Sequence, residues 1–242
     1  MTAPARSSLA LRTIALFEGL PASSLDAIAQ RCAWRTVAAD QPLLLRAETR
    51  RDVYFLVSGR VRVTTYAANG RQVTFRDAEA GAYFGDLAAI DGKPRSADVL
   101  ALEDCVVAVM EQPAFVALLQ GEPRVAQRVM QRLVAMVRQL SERVIDLSTL
   151  GVQNRLHAEL LRMARAAGVE ANRARLAPVP RHADLAAQVS TNREQVTREL
   201  NALARAGVLA KEGKAFVVVD VDRLARMVAE VRGDASPTAV AE

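Results

Sequence analysis

The segment Phe84-Gly85-Asp86-Leu87-Ala88-Ala89-Ile90-Asp91-Gly92-Lys93-Pro94-Arg95-Ser96-Ala97 carries the residue types of an anion site in the order that builds one. A glycine ahead of a short helical turn presents unpaired backbone N–H groups, and an arginine beyond the next turn adds a planar, permanently charged fork suited to phosphate. On these grounds the segment is a cradle for a small phosphorylated ligand. A second constellation runs from His182 to Leu200. Leu185 and Val189 form one apolar face, Ala186 is small enough for close helix crossing, and Val196, Leu200 and Leu203 supply the opposing face, which is the pattern of a helix-turn-helix. Thr191 followed by Glu194 fits a capping box for the second helix. Glu194, Thr197 and Arg198 share a side of that helix away from its apolar stripe, with Arg193 near its start, where side chains reach base edges of double-stranded DNA. Thr191 and Asn192 before it, and Lys211 and Lys214 around Gly213, complete the DNA-facing set.

The elements that must hold these residues are legible from periodicity. Apolar residues recur at helical spacing from Leu11 to Ala29 and are interrupted at Gly19-Leu20-Pro21, which predicts two short helices. Between Trp34 and Met110 the texture changes to period-two runs at 53–57, 61–65, 73–75, 99–102 and 106–109. Turn signals at Ser58-Gly59, Asn69-Gly70, Ala80-Gly81 and Asp91-Gly92 separate them, so a compact antiparallel sandwich or barrel is expected. After Pro123 a long helix is predicted, with Leu133, Met136, Leu140, Val144, Leu147 and Leu150 in a coiled-coil stripe that Arg143 interrupts. That stripe points to a homodimer; the alternative is a helix lying on its own domain's core. A helix over 153–167 follows, then a connecting loop or hairpin through Arg173-Ala174-Arg175 to Pro180. Helices over 182–189 and 192–206 end at Gly207, ahead of a strand pair around Leu209-Ala210 and Phe216 to Val219 and a last short helix capped by Asp222. The fold class is α+β: residues 1–122 a β-rich sensor domain, 123–151 a dimerisation helix, 152–232 a winged helix-turn-helix and 233–242 a disordered tail.

Composition narrows the function classes. A chain of 242 residues, 51% hydrophobic, can bury a real core. The 32 basic residues against 27 acidic ones, all but three of the basic ones arginine, permit a polyanionic partner without requiring one. Cys32 and Cys105 lack any metal-ligand spacing and are expected to be buried, reduced thiols, with no metal and no cofactor. No apolar run reaches the ~18 residues of a membrane span and the first ten residues lack a secretory signature, so a cytoplasmic protein is expected. His157 and His182 have no partner at catalytic or metal spacing, and no nucleophile elbow or Walker loop occurs, so the chain is not expected to be an enzyme.

As an ordered string the first segment resembles the phosphate-binding cassette of cyclic-nucleotide-binding domains, FGE(L/I) followed by RSA or RAA, and Tyr54 to Val61 resembles the strand-turn-strand of the same β-roll. The resemblance implies that Arg95 grips a cyclic phosphate, that Ser96 adds a hydroxyl and a backbone donor, and that Gly85 allows close approach, with Leu87 and Ala97 in the same cassette. Asp86 stands where nucleotide-binding members carry a glutamate that accepts from the ribose 2′-hydroxyl, and it is one methylene shorter. Leu140-Ser141 align with the paired hydroxyl residues that read the base from the long helix in cyclic-AMP-responsive members, and only Ser141 keeps its hydroxyl. The implied effector is cyclic AMP or another cyclic nucleotide, a cyclic dinucleotide included.

From about Leu11 to Met227 the chain is similar to the CRP/FNR superfamily of bacterial transcription factors, with β-roll, dimer helix and winged helix-turn-helix in that order, but without the N-terminal cysteines of the oxygen-sensing branch. Arg193, Glu194 and Arg198 match the recognition helix of the cyclic-AMP-responsive branch. Arginine suits guanine O6/N7 and glutamate suits cytosine N4, which gives a GTGA-like half-site. RNA polymerase is a partner implied by the resemblance alone. Two other readings stand beside this one: a cyclic-nucleotide-binding regulatory subunit acting on a protein partner, and a regulator of this family with no nucleotide effector.

Overall fold

A computed structural model describes residues 8–66 and 72–232; the Asn69-Gly70 turn and the 233–242 tail lie outside the described residues. The chain divides into two compact units, one up to Met136 and one from Val137 onward, so the division falls inside the long helix and not at its start.

The first unit begins with α1 (Ser8–Leu11), a 3₁₀ turn at Ala15–Phe17 and α2 (Ala22–Gln30). Strands β1 (Cys32–Val37), β2 (Pro42–Leu44), β3 (Val53–Ser58), β4 (Arg60–Tyr66), β5 (Gln72–Glu79) and β6 (Tyr83–Phe84) follow. A short helix α3 (Asp86–Asp91) precedes β7 (Asp98–Ala101) and β8 (Cys105–Met110). They form two antiparallel sheets, ordered β1-β8-β3-β6 and β2-β7-β4-β5. Side chains alternate across a strand, and in β3 this divides two cores. Val53 and Phe55 face the N-terminal helices, where Phe55 meets Phe17 with ring centroids 4.8 Å apart, while Tyr54 and Leu56 enter the second cluster with Val61, Phe84 and Val99. Both faces of β3 are therefore covered from Val53 to Leu56, which is why its sequence is apolar there and turns polar only at Ser58. Burying one such Phe or Leu side chain contributes roughly 1.5–3 kcal/mol. Strands β1, β2 and β6 escape the period-two reading because each is short or carries mixed residues and is recruited by pairing with a stronger neighbour.

Helices α4 (Gln112–Gly121) and α5 (Pro123–Thr149) close the first unit and lead into the second. Early in α5, Val125 and Val129 are buried in the first core and Leu133 packs against it. Farther on, Met130, Val137 and Val144 and, one heptad position away, Leu140 and Leu147 are exposed, between 43% and 62%. The exposed seam therefore runs along 130/137/144 and 140/147, while Leu133 of the second row is turned to the core. The expected stripe included Met136 and Leu150, but Leu150 is buried beyond the helix end and Arg143, in the same heptad row, is half-buried with its Nη2 donating to the Gln188 carbonyl at 2.6 Å. Arg143 does not interrupt the seam; it belongs to a different face.

The second unit holds α6 (Val152–Ala167), β9 (Ala174–Leu176), α7 (His182–Gln188), α8 (Arg193–Arg205), β10 (Leu209–Glu212), β11 (Ala215–Val218) and α9 (Val221–Arg232). Leu156, Leu160, Leu185, Val196, Leu200, Leu203 and Leu224 share one core. The segment read as a loop or hairpin around Arg173 contains a strand, β9, which pairs with β11 to give a three-stranded sheet ordered β10-β11-β9. Two caps differ from expectation. The cap of α8 is Asn192, whose Oδ1 accepts from Gln195 N at 2.8 Å, and not Thr191, whose backbone N–H is spent on the Ala186 carbonyl at 2.9 Å. The last helix is capped by Asp220, whose Oδ1 accepts from Arg223 N at 2.8 Å, so Asp222 lies in its first turn.

Candidate functional site

In the first unit the cassette is built by the bend from β6 into α3. Gly85 caps α3 with φ of 86°, a conformation that L side chains rarely adopt. Its carbonyl accepts from Arg95 Nη1 at 2.9 Å, and the Asp52 carbonyl accepts from Arg95 Nη2 at 2.7 Å. Arg95 is 4% exposed, its Nε is buried without a hydrogen-bond partner, and among the described residues no carboxylate forms an ion pair with it. Burial pulls the guanidinium below its ordinary pKa, with Tyr54, Asp52 and Glu48 offsetting part of that cost. Ser96 is exposed beside it, Ala97 is buried, and Leu87 is at the surface. The cassette residues Gly85, Asp86, Leu87, Arg95, Ser96 and Ala97 thus surround one bend. Leu140 and Ser141 lie on α5 past Met136, in the second unit; both are exposed, and the Ser141 hydroxyl donates to the Val137 carbonyl one turn back at 3.0 Å.

Asp86 is buried and its Oδ2 accepts from Arg132 Nη1 of α5 at 2.9 Å. The Arg132 guanidinium lies over the Tyr83 ring, 4.1 Å from the centroid. Burial works against the charge of Arg132, but Asp86 and Tyr83 outweigh it and hold its pKa above the ordinary value. Arg76 joins the group, its Nη2 donating to the Tyr83 carbonyl at 3.4 Å. Sequence reasoning missed Arg132 and Arg76 because neither lies in the cassette string. The only available signal was an arginine on the core-facing side of α5, one turn beyond Arg128, whose Nη1 reaches the Leu16 carbonyl at 3.1 Å.

In the second unit α7 and α8 cross as a helix-turn-helix, and Arg193, Glu194 and Arg198 project from α8 into solvent without engaging another side chain among the described residues. Glu194 is thereby free of the capping role that its spacing from Thr191 suggested. Thr197 is tied down: its hydroxyl donates to the Arg193 carbonyl at 3.0 Å and lies 2.8 Å from His182 Nδ1. The His182 pKa is held below its ordinary value by burial and then by the charges of Arg193 and Lys211, so several basic groups converge at this end of the unit. Lys211, near the end of β10, and Lys214, in the β10–β11 turn, are exposed, while Glu212 between them is drawn back by Arg173 at 3.1 Å and Arg175 at 3.7 Å.

The turn between α7 and α8 is held by two arginines that the sequence reading did not connect to it. Arg143 donates to the carbonyl of Gln188, and Arg155 donates to those of Val189 at 3.0 Å, Ser190 at 3.5 Å and Leu150 at 2.8 Å. Carbonyls at a helix C-terminus have no intrahelical donor and carry partial negative charge, so cations suit them. The apparent fault in the heptads was the signal for Arg143.

A phosphate-type cassette on a β-roll, followed in the same chain by an exposed recognition helix, defines a ligand-sensing DNA-binding regulator. A family model for the cyclic nucleotide-binding domain matches residues 34–122, and one for the Crp-like helix-turn-helix domain matches residues 154–227, together about two thirds of the chain. The chain belongs to the CRP/FNR family of transcription regulators. It is 29% identical over 196 residues to the cyclic AMP receptor protein of Thermus thermophilus, covering 80% of this chain and 87% of that one. Among solved structures, the c-di-GMP-responsive global regulator CLP of Xanthomonas campestris matches with a TM-score of 0.70 at 19% identity, covering 82% of this chain and 99% of that one. A CooA mutant from Carboxydothermus hydrogenoformans matches with a TM-score of 0.73 at 20% identity, covering 82% and 88%. Both structures share the fold. No helix among the described residues is long and apolar enough to cross a membrane.

Proposed function

We propose that this cyclic-nucleotide-binding transcription regulator works in the cytoplasm as a homodimer that reads a palindromic operator when an effector is held at the cassette. One observation carries the sensing half: Arg95 is a permanent charge, 4% exposed, satisfied by two backbone carbonyls and answered by no ion pair among the described residues. A buried unpaired cation is costly, and a phosphate docking on the Gly85–Ser96 face compensates it. Ser96, exposed beside Arg95, adds a hydroxyl donor, and Leu87 and Ala97 give the rim its apolar contact. Leu140 and Ser141 of α5 are assigned to the base by the family resemblance alone.

The exposed 130/137/144 and 140/147 seam is the dimer contact, since apolar residues at heptad spacing bury one another across two helices. Arg193, Glu194 and Arg198 read a GTGA-like half-site, with Thr191, Asn192, Thr197, Lys211 and Lys214 placed for the sugar-phosphate backbone. RNA polymerase is the partner through which such a protein acts. Cyclic AMP, named for the Thermus thermophilus relative, and a cyclic dinucleotide, named for the Xanthomonas campestris neighbour, are the two effector candidates.

Calorimetry of the full chain with cyclic AMP, cyclic GMP and cyclic-di-GMP tests the pocket. Saturable heat with one of them, abolished in Arg95→Leu, is expected; no heat with any rejects nucleotide sensing. Selection from random DNA is expected to return a palindrome whose half-site changes in Glu194→Ala, and an unchanged site removes the base-reading role.

A further inference from the structure

The acid of the cassette is already engaged. Asp86 is 3% exposed and its Oδ2 is bound by Arg132 Nη1 at 2.9 Å, while the Tyr83 ring, 4.1 Å from the guanidinium, lies under that arginine and fixes its approach. Arg76, which bonds the Tyr83 carbonyl, adds a second positive charge to the field at Asp86. For a sugar hydroxyl to take the place of Arg132, a charge-assisted pair must be exchanged for one hydrogen bond to a neutral donor, and a buried carboxylate would be left without its counter-charge. For the hydroxyl to add beside Arg132, it must bond a carboxylate whose charge is largely neutralised, so the bond has the worth of an ordinary neutral one. The shorter aspartate fits this arrangement: its carboxylate stays close to the backbone of the bend, within reach of α5.

We infer that Arg132 is a specificity-determining residue of the effector pocket: by holding Asp86 it turns the ribose 2′-hydroxyl, otherwise a strong discriminator, into a weak one. This rests on the reading of the cassette as a cyclic-nucleotide site. Arg132 acts on the effector through Asp86 and is in that sense a positioning residue. A residue that merely stabilised the fold would alter the affinity for all ligands alike, so the informative quantity is the ratio of affinities for a ribose and a deoxyribose ligand.

The test measures Kd by calorimetry on the full chain for cyclic AMP against its 2′-deoxy analogue, and for cyclic-di-GMP against its 2′-deoxy analogue. The wild type is expected to favour the ribose form by less than about tenfold, the range of a neutral hydrogen bond, and Arg132→Gln to raise the ratio above about tenfold, the range of a bond to a free carboxylate. Asp86→Asn gives a second arm that does not depend on Arg132→Gln folding: the ratio should move by less than about threefold, because little of it came from the carboxylate charge. A wild-type ratio above about tenfold that collapses in Asp86→Asn overturns the inference, as does a ratio unchanged in a folded Arg132→Gln. In both cases the cyclic-nucleotide reading survives. Absence of binding by every probe to every variant overturns that reading, and the inference with it.

Discussion

Replacing Gly85 by alanine tests whether the bend from β6 into α3 holds the cassette together. Two costs add. The backbone at φ of 86° is unfavourable for any residue with a Cβ, by about 1 kcal/mol. The new methyl would also meet the Asp52 carbonyl at 2.7 Å and Arg95 Nη1 at 2.8 Å, inside the separations that real Cβ atoms allow. Neither neighbour is a loose chain end, because the two are bonded to each other's segment through Arg95. Relieving the clash means giving up at least one hydrogen bond from a buried cation, about 1.5–3 kcal/mol. The expected loss is about 2.5–4 kcal/mol. Gly92→Ala is the control, since Gly92 has φ of 70° but its nearest neighbour is the Arg51 side chain at 3.9 Å; there only the backbone cost of about 1 kcal/mol applies. Trp34, the single tryptophan of the chain, sits in β1 of the first unit, so urea unfolding followed by its fluorescence reports on that unit. Gly85→Ala should also lose effector heat at concentrations where it remains folded. A difference between the two variants smaller than about 1 kcal/mol, or an intact effector affinity in Gly85→Ala, would refute the close-approach reasoning.

Arg155→Ala removes three donors from the carbonyls of Leu150, Val189 and Ser190 and should destabilise the second unit by about 2–4 kcal/mol in denaturant unfolding, with Arg155→Lys recovering less than half because an ammonium lacks the planar fork. Burial holds His157 below its ordinary pKa, with Glu199, 3.3 Å away, opposing the shift. The unfolded chain therefore binds a proton more readily than the folded one, so stability of the second unit should fall as pH drops below about 6.5, with a slope of at most ~1.4 kcal/mol per pH unit that His157→Gln flattens. Lys214→Ala should weaken binding to all DNA sequences alike and reduce the slope of log affinity against log salt by about 1, measured by fluorescence anisotropy, while the selected half-site stays the same. Val137→Glu places a charge in the exposed seam and should move the sedimentation distribution toward the single chain; an unchanged dimer would relocate the contact.

The parts of the fold legible in the sequence were those where one chain segment carries its own periodicity. Strand β3, helices α6 to α8 and the β10–β11 hairpin follow from local spacing and turn residues, and so do the cassette and the recognition helix, whose residues are consecutive. What was not legible depends on distant partners. Strand β9 exists because β11 offers it an edge, and its own three residues say little. Arg132 meets Asp86 across 46 positions of sequence, and Arg143 meets Gln188 across 45. Periodicity finds faces, but it does not say which face meets which group, so the heptad row of Arg143 read as a fault until the Gln188 carbonyl was seen opposite it. The caps fell to a subtler limit: Thr191 and Asn192 are both competent acceptors one residue apart, and the backbone path decides between them.

The arginines gathered at the turn between α7 and α8 donate to main-chain oxygens of Leu150, Gln188, Val189 and Ser190. A peptide carbonyl does not titrate, and a guanidinium stays protonated throughout the range in which cells live. Acidification therefore leaves these bonds intact, and salt weakens them far less than contacts to DNA phosphates. The turn ahead of α8 is thus held by bonds indifferent to pH, and the contacts of α8 that do depend on pH are those of Glu199 with His157 and of Thr197 with His182.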